Sequence, residues 1–431
     1  MTLAQLDSTT PFLCSLTHRP QYTSAAANHL SSSSTPAAKS GQQMDSPPVP
    51  DDLLLDIFLR IPDPADLVRV SAACVSFRGL VADRSFLRKY RKIHAPPLLG
   101  FLDRDQTFHP AVQPHPSAPA ASAVALAVDF SFSFLPAPTA RRWVIQDIRD
   151  GRVLLAGKDS FYQQLINSIA SSIELVVCDP LHRRYLVLPP IADVEFRRPC
   201  RTFLLPSLDN EEETAFRVIW MARCGDNLAA LVFSSSTGQW QDGPSHGWRD
   251  SFDGLLEPIG PAISSRPTSY AYGCFYWVVG TRTKVTDCRE MLLVLDTRKM
   301  EFSIVDAPPE AKGSYVGNIA IVEAGEGRPG MFALAADRSY LNYIIMQNNS
   351  GCSSRWQFEK TISLDSKYFI MGSAGRYLLL YHSGSPSVDV CGFTLDVKTL
   401  KLERMFVSNS CIPYGRTYSN FPPSLLSTPT V

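Results

Sequence analysis

Apolar residues recur every three to four positions between residues 50 and 62, which is the spacing of an amphipathic helix. One face of this helix is formed by Leu54, Ile57, Phe58 and Ile61, aspartates occupy its first turn, and Pro62 ends it. Two further helices are predicted before residue 92. Three helices in so short a stretch cannot bury all their apolar faces by themselves. We therefore expect this region to bind a partner.

The periodicity changes near residue 141, where short apolar runs alternate with turns, as in the hairpin around Asp150-Gly151. Three later strand pairs share one design, in which an apolar strand closes on an aspartate before a turn. These aspartates, Asp179, Asp296 and Asp396, lie 117 and 100 residues apart, roughly twice the repeat of about 40 to 50 residues that propellers show. Weaker strand pairs fill the gaps. The pattern predicts a β-propeller of about six blades, with two stacked sandwiches as the alternative all-β fold.

Composition divides the chain further. Serine and alanine runs near the N-terminus predict disorder; an organelle transit peptide, or a product that starts at Met44, are the alternatives. A second stretch is dense in proline, which argues against helix and interior strand, although its apolar run at 98–102 is a candidate first strand of the next domain. The predicted organisation is a disordered tail at 1–43, a helical domain at 44–94, a Pro-rich linker at 95–138, a propeller at 139–420 and a C-terminal tail at 421–431.

The helical region resembles the F-box family over residues 47 to 92. The resemblance is carried by Val49, Pro50, Leu53, Leu54, Ile57, Ile61, Pro62, Leu67, Arg69 and Cys74. Phe77 stands where a tryptophan often follows the cysteine in that family. An ordinary helical hairpin on a larger core is the alternative interpretation.

The F-box resemblance implies docking on a Skp-type linker subunit and, through it, on a cullin of a ubiquitin ligase. The residues that it implies for linker-subunit binding are Pro50, Leu53, Leu54, Ile57, Phe58, Ile61, Pro62, Leu67, Val70, Cys74 and Phe77.

The segments 272–280 and 292–309 resemble the kelch-like unit of plant F-box-associated propellers, although Gly-Gly dipeptides of the kelch type are absent. A propeller commits its strands to packing, so recognition of a protein client falls to loops that carry exposed aromatics or arginine. The candidate client-binding residues are Trp240, His246, Trp248 and Arg249. The alternative for both tryptophans is that they fill space between blades.

Charge and cysteine usage exclude several classes of protein. The 41 basic and 41 acidic side chains give zero net charge, so no overall field attracts nucleic acid. The sequence contains no run of about 18 apolar residues, so no membrane span is predicted. The 10 cysteines are scattered without Cys-x-x-Cys spacing, which indicates no zinc site and favours a reducing compartment, cytoplasmic or nuclear.

Two short motifs suggest catalysis and are better explained as turns. Residues 325–330 satisfy G-x-G-x-x-G, but strands follow where a dinucleotide site requires a helix. Residues 372–375 lack the spacing of a hydrolase nucleophile. We predict no catalytic residue, metal or cofactor. The predicted function is a substrate-recruiting adaptor; a regulatory F-box scaffold that ubiquitylates no client, and a catalytic propeller, are the alternatives.

Overall fold

The computed structural model of the protein describes most of the chain between Val49 and Ser419. The described residues are 49–62, 64–94, 96–138, 142–158, 174–191, 198–206, 215–224, 227–247, 268–284, 287–311, 318–347, 355–383, 390–408 and 415–419. The predicted disordered tail at 1–43 and the C-terminal tail at 421–431 lie outside these residues.

The helical module begins after Pro50 and contains four helices, not the three that the sequence predicted. Their bounds are α1 Asp51–Leu59, α2 Pro64–Ala73, α3 Val75–Ala82 and α4 Arg84–Ile93. The additional boundary falls at Cys74, whose backbone is extended and whose sulfur accepts the N–H of Phe77 at 3.4 Å. The next boundary is an ordinary N-cap, because the Asp83 carboxylate accepts the N–H groups of Ser85 and Phe86 at 2.9 and 3.0 Å.

The helical module has a small core of its own. Phe58, Leu67, Val81, Phe86 and Tyr90 are buried together. The Tyr90 hydroxyl donates to the carbonyl of Ile61 at 2.9 Å and so ties α4 to the end of α1. The module therefore buries part of its apolar surface within its own core, without a partner.

The remaining described residues form a six-blade β-propeller, as the sequence predicted. Blades 1 to 5 are four-stranded antiparallel sheets made of β3–β6, β7–β10, β11–β14, β15–β18 and β19–β22. The strand bounds are β1 Leu98–Asp103, β2 Phe108–Pro110, β3 Arg142–Arg149, β4 Arg152–Lys158, β5 Leu175–Asp179, β6 Arg184–Val187, β7 Arg198–Leu205, β8 Arg217–Cys224, β9 Asn227–Ser234, β10 Gln239–Gly247, β11 Ser269–Ala271, β12 Cys274–Lys284, β13 Asp287–Asp296, β14 Glu301–Asp306, β15 Ile319–Glu323, β16 Pro329–Leu334, β17 Tyr340–Gln347, β18 Arg355–Ser363, β19 Tyr368–Ala374, β20 Tyr377–Ser383, β21 Val390–Asp396, β22 Leu402–Ser408 and β23 Gly415–Ser419.

Blade 6 joins the two ends of the propeller. Strand β1 pairs antiparallel with β2 on one side and with the last strand, β23, on the other, so that Phe101 lies opposite both His109 and Thr417. The backbones approach closely here, since a Cβ atom on Gly415 would lie 2.4 Å from the carbonyl oxygen of Leu102. Pairing the first strand with the last removes the open edge that the ring would otherwise have.

The predicted Pro-rich linker at 95–138 is wrong for most of its length. It contains β1, β2 and a fifth helix, α5 Ala118–Ala127, and it buries Phe130 in the core of the propeller. The prolines sit where the structure tolerates them: Pro110 ends β2, and Pro119 lies in the first turn of α5, where no intrahelical N–H partner is required. Proline density was therefore a poor guide to a domain boundary.

Apolar side chains fill the space between neighbouring blades. Along β8, Val218 and Trp220 pack toward blade 1, whereas Ile219 and Met221 pack toward blade 3. This alternation follows from the two-residue period of a strand and explains why nearly continuous apolar runs, buried on both faces, appear in the sequence. Similar clusters join blades 3 and 4, blades 4 and 5, and blades 5, 6 and 1.

The repeated aspartates define one turn in alternate blades. Asp179, Asp296 and Asp396 end the third strand of blades 1, 3 and 5, and one oxygen of each accepts backbone N–H groups of the following turn. Two blades separate successive copies, which accounts for the spacing of 117 and 100 residues. In each turn the fourth residue after the aspartate has positive φ: Arg183 at 54°, Met300 at 55° and Leu400 at 54°.

Replacing Tyr418 with alanine should destabilise the propeller by about 3–5 kcal/mol. Its ring is fully buried in blade 6 and packs edge-on against Phe108 and Phe130, with centroids 5.8 and 5.0 Å away. Denaturant unfolding followed by circular dichroism measures the change. The control Tyr340→Ala removes an exposed ring and should change stability by less than about 1 kcal/mol; equal effects of the two substitutions would contradict this closure.

Candidate functional site

Helix α1 presents an apolar strip to solvent. Leu53 and Ile57 are separated by four residues on this helix and are 54 and 55% exposed. Four residues are just over one helical turn, so these side chains lie along one side of the helix. Together with the exposed Pro50 at the helix start they form what we call the α1 ridge. Exposed apolar residues arranged in a strip, unlike scattered ones, indicate an interaction surface.

Carboxylates border the α1 ridge. Asp51, Asp52 and Asp56 are all exposed on the same helix. The first two lie in its first turn, where negative charge is favourable beside the unpaired backbone N–H groups. A partner for the ridge must therefore combine an apolar groove with polar or basic groups at its rim.

Only part of the predicted linker-binding set is accessible, and two of its members are buried. Phe58 and Leu67 are 4 and 5% exposed and belong to the module's own core, so they cannot contact a partner directly. The prediction placed Leu54, Ile57, Phe58 and Ile61 on one face of the helix. The structure separates Phe58 from Ile57, because successive residues of a helix point about 100° apart and α1 carries an inward stripe beside the outward ridge.

The other predicted residues divide by exposure. Those that pack against the core while keeping some accessible surface are Leu54, Ile61, Val70 and Phe77. Pro62 and Cys74 are exposed. Val75, the first residue of α3, is 83% exposed and was not among the predicted residues. The extended cysteine before it was the only available signal, because Val75 reads as an ordinary helical residue.

The candidate client-binding residues do not come together at one described surface. Trp248 and Arg249 lie outside the described residues. His246 is half-buried on β10, with its ring 6.4 Å from that of Phe302 in blade 3. Trp240 packs between blades 1 and 2, and its indole N–H donates to the carbonyl of Pro189 at 2.8 Å. The side chain of Trp240 is thus engaged in joining two blades.

Replacing Trp240 with alanine should lower stability by about 2 kcal/mol, less than a fully buried tryptophan because one side of the ring is accessible. The loss combines the contact with Phe233, whose centroid is 5.5 Å away, and the hydrogen bond to blade 1. Thermal unfolding measures it. The neighbouring exposed residue offers a matched control, Gln241→Ala, which should leave the melting temperature unchanged. An unchanged melting temperature of Trp240→Ala would contradict the role of this side chain in joining the two blades.

In the described part of the chain, no three His, Cys, Asp or Glu side chains are grouped so that they could hold a metal ion. Nor does any described helix have the length and apolarity to cross a membrane. The G-x-G-x-x-G stretch covers the turn between β15 and β16 and the first two residues of β16.

A family model provides independent support for the helical module. The F-box-like family model matches residues 49–92, the stretch that holds the α1 ridge and all four helices of the module apart from the last residue of α4. No curated protein matches the chain.

Solved structures resemble the chain only distantly. The acylaminoacyl peptidase of Pyrococcus horikoshii is 10% identical, with a TM-score of 0.36, over 62% of this chain and 39% of that one. A puromycin-hydrolysing peptidase of Mycobacterium tuberculosis is also 10% identical, with a TM-score of 0.35, over 62 and 40%. The β-propeller domain of the Trilobed protease from Pyrococcus furiosus is 11% identical, with a TM-score of 0.33, over 62 and 72%. The chain spans about two fifths of the first two proteins, and no activity follows from these similarities.

Proposed function

We propose that this protein is a substrate-recruiting adaptor of a Skp-cullin-F-box ubiquitin ligase. In this proposal the helical module binds a Skp-type linker subunit, and through it a cullin, while the propeller binds a protein client. The observation that carries the proposal is the α1 ridge: apolar side chains more than half exposed, inside the stretch that matches the F-box-like model. We further propose that the protein acts in the cytoplasm or the nucleus.

The energetics of the α1 ridge support a docking role. Burying a Leu or Ile side chain fully is worth roughly 1.5–3 kcal/mol, so burying the exposed half of Leu53 and Ile57 yields roughly 1 kcal/mol each. Several such contacts around a central anchor are enough for a stable interface. In the unbound protein the same exposed side chains gain no free energy from burial. The exposed Pro50 at the start of α1 extends the same surface.

The propeller supports the second half of the proposal. Its inner strands are committed to packing between blades, and connections between strands emerge on both faces of the ring. Connections of this kind carry recognition in many folds, because they vary without disturbing the core. A packed ring with connections at both of its faces is suited to presenting a bound client.

Affinity purification of the full chain under proteasome inhibition tests the proposal. Mass spectrometry should identify a Skp-type linker subunit, a cullin and one or more client proteins. A chain lacking residues 50–93 should retain the clients and lose both ligase subunits. Loss of the clients together with the ligase subunits, or purification of the full chain without either subunit, would contradict the proposal. A regulatory scaffold would co-purify with the linker subunit, but no client protein would increase in amount when the proteasome is inhibited.

A further inference from the structure

One face of the propeller carries an arginine whose side chain makes no hydrogen bond within the described part of the chain. Arg338 lies in the turn 335–339, between β16 and β17 of blade 4. The carbonyl of Ser339 accepts the N–H of Leu364 at 2.9 Å, so this turn lies beside the connection 364–367 that leads into β19 of blade 5. The two connections therefore meet at the face of the ring where β19 begins.

Two aromatic rings of blade 5 hold the Arg338 guanidinium in place. Its Cζ atom lies 3.8 Å from the centroid of the Phe369 ring. Phe369 pairs with Tyr381 across β19 and β20, and their rings stack with centroids 4.7 Å apart and an angle of 12° between their planes. All three side chains are half-buried. We call these three residues the Arg338 stack, in which the contact between cation and ring restricts the orientation of the guanidinium.

The guanidinium donors of Arg338 are unused among the described residues. Its Nε atom is buried without a hydrogen-bond partner, and no described residue accepts a hydrogen bond from its two terminal nitrogens. The terminal nitrogens are not buried, so a ligand has access to them. A guanidinium carries five N–H groups in one plane. The ring contact fixes this plane and leaves its outer edge for an acceptor from outside the chain.

Two other arginines that lie over rings also have an acceptor. Arg376 lies 5.0 Å from the centroid of Tyr377 and forms an ion pair with Asp396 at 3.1 Å. Arg149 lies 4.2 Å from a ring centroid in blade 3 and donates to a backbone carbonyl of blade 2 at 3.2 Å. Nor does the turn itself require arginine at 338, because φ is 62° there, a conformation that favours glycine. Neither the turn nor an internal acceptor therefore accounts for Arg338.

The carboxylates of the two connections have other partners. Asp337 accepts the N–H of Ser339 at 3.1 Å and its hydroxyl at 2.8 Å, and these hydrogen bonds hold the pKa of Asp337 below its usual value. Asp365 accepts the hydroxyl of Tyr368 at 2.8 Å. Each of the two connections contains one acidic and one basic residue, so their formal charges cancel. The Arg338 stack therefore offers directed hydrogen-bond donors and not an excess of charge.

We propose that the Arg338 stack binds the side-chain carboxylate of an aspartate or glutamate in a protein client. Guanidinium and carboxylate groups are both planar and pair through two parallel hydrogen bonds, for which the terminal nitrogens of Arg338 are available. The ring contact orients the guanidinium before binding, so less side-chain entropy is lost when the pair forms. This inference rests on the proposed function, since it assigns the ligand to a client of the propeller.

A carboxylate suits this site better than a phosphate. A phosphorylated residue carries a charge of about −1.5 to −2 and is typically bound by a cluster of arginines. Here the two basic residues of the connections, Arg338 and Lys367, are matched by Asp337 and Asp365. A doubly charged group would therefore leave the site with net negative charge and would be repelled by both carboxylates.

Nuclear magnetic resonance of the full chain with isotopically labelled arginine tests this binding directly. Burial of the Arg338 Nε slows exchange of its proton with water, so its signal should be sharp, and the loss of that signal in Arg338→Lys assigns it. The probe acetyl-Gly-Glu-Gly-amide should shift this signal in a saturable way at millimolar concentrations. The matched acetyl-Gly-Gln-Gly-amide should shift it at least about fivefold less. The Nε signal of Arg149, which already donates to a carbonyl, is the internal control and should not move.

Phe369→Leu tests the contribution of the ring. It removes the aromatic face beside the guanidinium and changes no charge, so half-saturation by the Glu peptide should require at least about threefold more peptide. An unchanged half-saturation would overturn the role of the ring. No shift of the Arg338 signal with the Glu peptide, or equal shifts with the Glu and Gln peptides, would overturn the proposal. Tighter binding of acetyl-Gly-phosphoserine-Gly-amide would overturn the assignment to a carboxylate.

Affinity purification under proteasome inhibition relates the Arg338 stack to clients. Arg338→Lys keeps the positive charge but loses the planar pair of donors, so recovery of at least one client should fall at least about fivefold, with equal recovery of the linker subunit. The control Arg355→Gln removes an exposed arginine of β18 in the same blade and should retain every client. Unchanged recovery of all clients with Arg338→Lys would overturn the assignment to clients. Absence of clients from the wild type would instead contradict the proposed function, and the peptide titration would still decide whether the stack binds a carboxylate.

Discussion

Replacing Leu53 and Ile57 together with aspartate should abolish binding of the chain to a Skp-type linker subunit. Both side chains are more than half exposed on the α1 ridge, so the change introduces charge into the proposed interface without opening the module's core. Burying two carboxylates in an apolar groove is strongly unfavourable. We expect an affinity at least about 100-fold lower, equivalent to about 2.7 kcal/mol, in isothermal titration or co-purification.

The propeller supplies a matched control for this substitution. Tyr185 and Val187 on β6 are each 41% exposed, and Tyr185→Asp with Val187→Asp places the same charges on a comparable apolar surface away from the module. This control should bind the linker subunit normally. Leu54→Asp is a poor substitute for either change, because Leu54 packs on the module's core and its loss would unfold α1. Undiminished binding of the ridge variant would remove α1 from the interface.

A fragment that begins at residue 139 should fail to fold, whereas one that begins at residue 96 should be soluble and rich in β structure. The shorter fragment lacks β1 and β2, and without them β23 loses its partner in blade 6. It also exposes the cluster around Phe406 and Trp143, against which Leu102 and Phe130 pack. The loss of that buried apolar surface far exceeds the marginal stability of a domain.

Circular dichroism and size-exclusion chromatography compare the two fragments. The longer one, 96–431, should elute as a monomer, give a spectrum dominated by β structure and unfold cooperatively. The shorter one, 139–431, should aggregate or give a disordered spectrum. Folding of the shorter fragment with native stability would show that blade 6 is dispensable and would contradict the closure by both chain ends.

Local periodicity predicted the propeller well and its ends poorly. The aspartates at 179, 296 and 396 marked equivalent turns because each carboxylate caps backbone N–H groups within three residues, a constraint that is local in sequence. The pairing of β1 with β23 joins residues that are more than 300 positions apart, so no local pattern reveals it. The high proline content around β2 and α5 also argued against secondary structure in this part of the chain, so the pairing of β1 was not predicted.

The sequence predicted α1 as the docking helix, but it did not separate the inward apolar side chains of this helix from the outward ones. The motif contains inward and outward apolar residues alike, and Phe58 differs from Ile57 only by one position, yet their exposed fractions are 4 and 55%. Deciding between them requires the packing of α4, in which Phe86 and Tyr90 fix the inward side. The placement of charged residues on neighbouring inner strands was also out of reach of local patterns, since Asp147 on β3, Arg201 on β7 and Arg416 on β23 come from blades that meet only when the ring closes.

The lifetime of the client proteins tests the central claim most directly. Cells should express either the wild type or the Leu53→Asp, Ile57→Asp variant, and quantitative mass spectrometry should follow protein half-lives and ubiquitin-modified lysines. We expect the proteins that co-purify with both forms to carry less ubiquitin and to live longer with the variant, because it binds clients without reaching a ligase. Identical ubiquitylation and half-lives of those proteins with the two forms would contradict the adaptor function.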